Sequence, residues 1–127
     1  MPIRITTEDE YVLVSAEDDF DMIDVRATLE EAAKRNGSKP LLRILVDARA
    51  TDFRVTTDDV GLIVRIWQEV FRSRSVQIAL VVSTDVQFGM GRMLGALSHE
   101  TPVSYEVFRE RDDAERWLLG KPYPPGP

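Results

Sequence analysis

The sequence predicts an α/β domain built on a mostly parallel sheet of about five strands, and three observations predict it. Strand and helix signals alternate in the order β-β-α-β-α-β-α-β-α, with short connections and no internal repeat or low-complexity tract. Two of the strand signals are nearly continuous apolar runs, Leu41-Leu42-Arg43-Ile44-Leu45-Val46 and Ile78-Ala79-Leu80-Val81-Val82. Runs of that kind suit strands covered on both faces. The chain has 127 residues, the length of one domain with a single core. Three βα crossovers between buried strands then imply parallel pairing with right-handed connections, and the opening hairpin adds one antiparallel strand.

Tyr11–Ala16 reads as a strand, with 3–6 as its hairpin partner across the polar turn Thr7-Glu8-Asp9-Glu10. A helix follows from Phe20 to Arg35, because Met22, Val25, Leu29 and Ala32 recur at spacings of three and four. Asn36-Gly37 stops it in the left-handed region and Pro40 prevents its resumption. Leu41–Asp47 is the first buried strand, and residues 48–56 are a loop. Thr56 or Thr57 caps the next helix, which runs to about Arg72 and carries a wide apolar stripe through Val60, Ile63, Val64, Trp67, Val70 and Phe71. Val76–Ser83 is the second buried strand. Thr84 or Asp85 caps the helix after it, whose inner face is expected to be Met90, Met93, Leu94 and Leu97. Val103–Phe108 alternates apolar and polar residues, as an edge or half-exposed strand does. Asp112 with Glu115 reads as a capping-box start to a last helix, packed inward by Ala114, Trp117 and Leu118 and stopped by Gly120 and Pro122. The domain is expected over 1–120, followed by a proline-rich mobile tail over 121–127 that suits neither sheet nor helix.

Composition removes several function classes. There is no cysteine, so disulfides, thiol catalysis and thiolate zinc sites are excluded; a single His99 excludes a histidine-rich metal site. No apolar run approaches the ~18 residues of a membrane span, and the acidic first ten residues lack the apolar core of a secretory leader. A cytoplasmic location is the expectation. The net charge is −6, with ten of the 22 acids and only two of the 16 bases in residues 1–31. An acidic chain without a basic stripe repels phosphate backbones, which argues against nucleic acid as a partner. The acidic N-terminal third reads foremost as a solvated face.

The candidates for chemistry gather at one sheet edge. Asp47 ends a buried strand, and Asp52, Asp58, Asp59 and Asp85 lie in loops or helix starts at the same C-terminal edge, where α/β sheets build their sites. Clustered carboxylates can hold a cation or act as acid and base. The simpler reading is that Asp58, Asp59 and Asp85 are what first helical turns prefer, with Asp47 and Arg49 an internal ion pair holding the loop. Gly89-Met90-Gly91 invites the dinucleotide fingerprint, but its third glycine would fall at Leu94 and the glycines lie inside the helix, not at the tight turn. Gly91 and Gly95, four apart on one face, instead point to close packing on the sheet or on a second subunit. His99 lies at a helix end with neither a nucleophile elbow nor a second histidine, so it reads as structural. No enzyme and no cofactor are expected.

Several ordered strings resemble the SpoIIAA-like family of the STAS/SEC14 superfamily: Leu45-Val46-Asp47-Ala48-Arg49, Thr57-Asp58-Asp59-Val60, Ala79-Leu80-Val81-Val82-Ser83-Thr84-Asp85, Phe88-Gly89-Met90-Gly91-Arg92-Met93, and Val107-Phe108 followed by Ala114-Glu115-Arg116-Trp117-Leu118. They span positions 41 to 119. The resemblance implies a STAS-like sheet with packed helices and no established enzymatic activity. It implies a role of one of two kinds. Anti-sigma-factor antagonists bind a kinase-like partner and are switched by phosphorylation at the start of the helix after the third strand. SEC14-like relatives hold a lipid or other apolar ligand between helices and sheet. The antagonists' Asp-Ser-Ser-Gly stands here as Asp58-Asp59-Val60-Gly61, with Val60 at the phosphorylated place. Thr56 and Thr57 are the nearby hydroxyls, and a phosphate on either gains from the helix N-terminus and loses from Asp58 and Asp59.

The leading expectation is a protein-interaction module, regulatory in kind, with Asp47, Arg49, Asp52, Thr56, Thr57, Asp58 and Asp59 as its surface and an unidentified protein as partner. The alternative is binding of an apolar small molecule or lipid in a gap lined by Phe53, Trp67, Phe88, Met90 and Met93. Self-association as a homodimer is the further expectation, through the Gly91/Gly95 face or the strand 103–108.

Overall fold

The computed structural model describes residues 3–17, 21–35, 40–51, 56–72 and 74–122. Its elements are β1 (Ile3–Thr7), β2 (Val12–Ala16), α1 (Met22–Arg35), β3 (Leu41–Asp47), α2 (Thr57–Val70), β4 (Ser75–Val81), α3 (Asp85–Leu97), a 3₁₀ turn (Ser98–Glu100), β5 (Val103–Phe108) and α4 (Arg111–Leu118). The five strands form one sheet in the order β1-β2-β3-β4-β5. Only β1–β2 is antiparallel; β2–β3, β3–β4 and β4–β5 are parallel, with Leu41 opposite Ser75 and Asp47 opposite Val81. This is the mostly parallel five-stranded architecture expected from the strand and helix pattern, and β5 is indeed an edge.

Because side chains alternate along a strand, each buried run serves two cores. Leu42 and Ile44 of β3 and Val76 and Ile78 of β4 point to one face, where they pack with Leu29 and Ala32 of α1, Val60, Ile63 and Trp67 of α2 and Leu94 of α3. Leu45, Ala79 and Val81 point to the other face and meet Ala114 and Leu118 of α4. One face thus carries three helices, the other a single short one. Beyond the reach of α4 the second face turns polar: the Arg43 guanidinium donates to the Gln77 side chain at 3.3 Å. The three-helix face is braced from outside. Arg26 of α1 pairs with Glu69 of α2 at 2.7 Å, and Arg74 donates to the carbonyl of Ala33 at 2.9 Å.

Three local expectations are corrected. The inner face of α3 is Gln87, Met90, Gly91 and Leu94, whereas Met93 and Leu97 are exposed. The helix turns its glycines to the sheet: a Cβ on Gly91 would stand 2.8 Å from Val107 Cγ2, and one on Gly95 3.3 Å from Tyr105 Cδ1. The backbone of α3 therefore lies on β5 of its own chain, and the Gly91/Gly95 face is not a surface left for a second subunit. The last helix starts at Arg111 with Glu110 at its cap position and no side-chain cap. Asp112 and Glu115 are both inside it, paired instead with Arg116 at 3.3 Å and Arg111 at 3.3 Å. The alternatives left open at the other caps resolve to Thr56 and Thr84, whose hydroxyls accept from the N–H groups of Asp59 and Gln87. Phe20 and the Asn36-Gly37 stop lie outside the described residues, as does the tail from 123 onward.

Candidate functional site

The C-terminal edge of the sheet is organised around two short-range devices on the β3–α2 connection. Where β3 ends, Asp47 receives both arms of Arg49, Nε at 3.0 Å and Nη2 at 2.8 Å, and the Arg49 backbone N–H at 3.2 Å. The Arg49 side chain two residues on, more than its own backbone bond or its charge, holds the Asp47 carboxyl below the ordinary aspartate range, against the opposing effect of partial burial. Asp47 is therefore a charged turn-holder at neutral pH. Where α2 begins, Thr56 and Asp59 form a reciprocal capping box: the Asp59 N–H donates to Thr56 Oγ1 at 3.1 Å and the Thr56 N–H to Asp59 Oδ2 at 3.0 Å. Two of the helix's orphan donors are satisfied this way. Thr57 and Asp58 stand exposed beside the box. Val60 is 1% exposed and belongs to the core. A phosphoryl group at that position would have to enter the apolar interior, and one on Thr56 would stand against the Asp59 carboxylate that closes the capping box.

Asp85, at the same C-terminal edge after β4, pairs instead with Arg109 at 2.7 Å. Among the described residues no three acidic or histidine side chains converge as a metal ion requires. No helix among them is long and apolar enough to cross a membrane.

The second feature is a cavity of about 150 Å³ between the three-helix layer and strands β3, β4 and β5. Val46, Ile78 and Leu80 form its floor, Val25, Ile63 and Trp67 one wall, and Met90, Gly91 and Leu94 the other. Val86, 60% exposed, stands at its mouth. Tyr105 reaches into this wall from β5. Its ring stacks obliquely on Trp67 at 5.3 Å between centroids, and its hydroxyl lies 3.3 Å from where a Gly91 Cβ would be. That hydroxyl is buried and has no hydrogen-bond partner among the described residues. Burial foremost, with the neighbouring Glu106 charge second, pushes its ionisation far above the ordinary phenol value, so it is a neutral O–H at any physiological pH.

Set against solved structures, the chain is similar over 91% of its length, at a TM-score of 0.59 and 18% identity, to an uncharacterized protein of the DUF3478 family with a SpoIIAA-like fold from Shewanella loihica PV-4, of which it covers 91%. The chain has the SpoIIAA-like fold. A second structural match is an anti-sigma factor antagonist from Mycobacterium paratuberculosis, at a TM-score of 0.58 and 14% identity over 92% of both chains. No protein-family model and no curated protein sequence matches the chain.

Of the residues singled out from sequence, the fold brings Asp47 and Arg49 together as one pair and Thr56 and Asp59 as another, with Thr57 and Asp58 exposed next to the second. Asp52 and Phe53 lie outside the described residues. Trp67 and Met90 line the cavity. Phe88 is half-buried elsewhere on α3, and Met93 is 39% exposed on the outer side of that helix. Tyr105 is the cavity-lining residue that sequence reasoning passed over. It read as one apolar beat of an alternating strand. The signal that could have raised it is the pair Gly91 and Gly95, which shows that something bulky meets α3 without saying what.

Proposed function

We propose that this chain is a non-enzymatic protein-interaction module whose contact surface is the start of α2 together with the Asp47–Arg49 turn that leads to it. One observation carries this reading. The α2 N-terminus presents exposed Thr57 and Asp58 beside a capping box that fixes their backbone, on a connection whose entry is also pinned. Connections at this edge can carry binding without disturbing the core. The anti-sigma factor antagonist of like fold lends support, since it is a protein that acts by opposing another protein. Here Val60, at the place of the switchable hydroxyl, is core, and the adjacent carboxylates Asp58 and Asp59 give the helix start a charge that needs no modification. The contact surface is thus negative without modification, and its partner presents a basic patch.

Asp58→Lys tests this cleanly, because Asp58 is exposed while Asp59 holds the cap and its replacement would also unfold the first turn. The protein captured by the wild type from its native extract should be lost with Asp58→Lys, while the melting temperature falls by only a few degrees as a first-turn charge reversal costs about 1 kcal/mol. An identical set of captured proteins would count against this surface.

A second reading, binding of a small apolar molecule, is favoured by the cavity beneath α3. It does not compete for the same residues, because the cavity and the α2 N-terminus are different surfaces.

A further inference from the structure

We propose that the outer face of α3 is the contact through which two copies of this chain associate, helix against helix about a twofold axis. Five large apolar side chains are exposed among the described residues, and three of them, Val86, Met93 and Leu97, belong to α3. Their spacing of seven and four puts all three on one stripe. Gly89 lies in the same stripe, three residues from Val86 and four from Met93. The glycines at 91 and 95 are explained by β5, on the opposite side of the helix. Gly89 is exposed, and a Cβ there would meet nothing within 4 Å. A glycine in the exposed body of a helix costs ~1 kcal/mol relative to alanine, and no neighbour in the chain accounts for it. The adjoining surface of α2 continues the pattern. Gly61, Val64 and Gln68 lie three and four apart on the side turned to α3, where the Gln68 amide donates to the Glu100 carbonyl at 3.3 Å, and none of them carries charge.

Charge and shape select a second copy as the occupant. The chain carries a net charge of −6, so two copies repel wherever their acidic surfaces meet. On α3 the one acid, Asp85, is paired with Arg109 at 2.7 Å, and the one base, Arg92, flanks the stripe. By contrast, α1 and α4 set acids and bases along their length. A face depleted of charge, with an exposed methionine at its centre, has the composition of a homodimer interface. It lacks the row of bases that would hold a helix to an anionic bilayer. Its relief is also self-complementary. Gly89, Met93 and Leu97 form one ridge of the helix at i, i+4 and i+8. A second α3 laid antiparallel, with the twofold axis at Met93, brings Leu97 of each copy over Gly89 of the other. Twofold contacts demand that reciprocity, since residue i meets j and j meets i.

The test is sedimentation velocity on the full chain between about 5 µM and about 500 µM, joined to methyl spectra over the same range. A reversible monomer–dimer equilibrium with a Kd of about 10–100 µM is expected, as suits a small contact. The Met93 and Leu97 methyl groups should shift with concentration, and those of Ile23 on α1 and the amides of β5 should not. Met93→Glu and Gly89→Gln, both at exposed sites, should each raise Kd by about tenfold or more while melting within a few degrees of the dilute wild type. Ile23→Glu, at the most exposed of the five apolar residues, should leave the equilibrium unchanged. A wild type that stays monomeric at the highest concentration would overturn the proposal, and its co-sedimentation with phosphatidylglycerol vesicles would then assign the stripe to a bilayer. So would a dimer whose shifts fall on β5 or α1, or one that Met93→Glu leaves intact. A dimer lost with Met93→Glu but kept with Gly89→Gln would overturn the antiparallel register that sets Leu97 over Gly89.

Discussion

The two faces of the sheet solve the same burial problem differently. The three-helix face is thick and is held by shape: Phe71, Leu42 and Ile44 have no exposed surface, and α3 lies so close to β5 that only glycine fits at position 91. The α4 face is thin and is held partly by charge. A two-turn helix without a side-chain cap covers Leu45, Ala79 and Val81, while Arg111–Glu115 and Arg116–Asp112 pairs stitch its own surface and the Tyr11 hydroxyl donates to Glu115 at 3.1 Å. The difference teaches why the apolar cavity lies under the three-helix face. Only the thick face has helices long enough to bridge a gap without collapsing into it.

Substitutions can break or sharpen that contrast, beginning with the largest expected effect. Phe71→Ala empties the most buried large site under α2 and should cost about 3–5 kcal/mol in urea unfolding, a large share of the stability of a domain this size. A loss below ~1 kcal/mol would mean that the thick face relaxes freely and is not held by shape. Gly91→Ala pushes a methyl against Val107 and should cost about 1–3 kcal/mol. Its neighbour Gly89 is the matched control. A Cβ there meets nothing within 4 Å, so Gly89→Ala should instead stabilise by ~1 kcal/mol through helix propensity. If both substitutions moved the midpoint in the same direction, close packing of α3 on β5 would not be the reason for the glycines.

The smallest effect concerns the pinned turn. The folded carboxyl of Asp47 is held below its ordinary value of 3.8 by Arg49, so the pair adds stability above that value and loses it as the pH falls through the lower, folded one. Arg49 is substantially exposed, and solvent screening keeps the contribution to about 0.5 kcal/mol. Asp47→Asn should therefore lower the thermal midpoint slightly at pH 7, and the two curves should converge on acidification. A gap that widens in acid would reverse the assigned sign.

Much of this arrangement is written in the order of residues. The nearly continuous apolar runs 41–46 and 78–82 point to strands because they are short, rich in β-branched residues and suit a strand covered on both faces. Met22, Val25, Leu29 and Ala32 specify an inward stripe by spacing alone. The adjacent hydroxyls Thr56 and Thr57 specify a helix start, and the structure chose Thr56 by closing a box with Asp59. Each of these is a local relation, and local relations survive in a linear string. The direction in which α3 faces was not local. Periodicity favoured Met93 and Leu97 as inward positions because it weighs hydrophobicity. The fold chose Gly91 because it weighs distance, and the deciding neighbour, Val107, is sixteen residues further along the chain. The start of α4 slipped for a related reason: Asp112 and Glu115 have the spacing of a cap, but the turn after β5 places Arg111 in the helix before them. Tyr105 is the furthest case. The sequence determined that it lies on an apolar-facing beat of an edge strand. Only the tertiary structure decided that its ring stacks on Trp67 and that its hydroxyl is buried against α3 at Gly91, with no hydrogen-bond partner among the described residues.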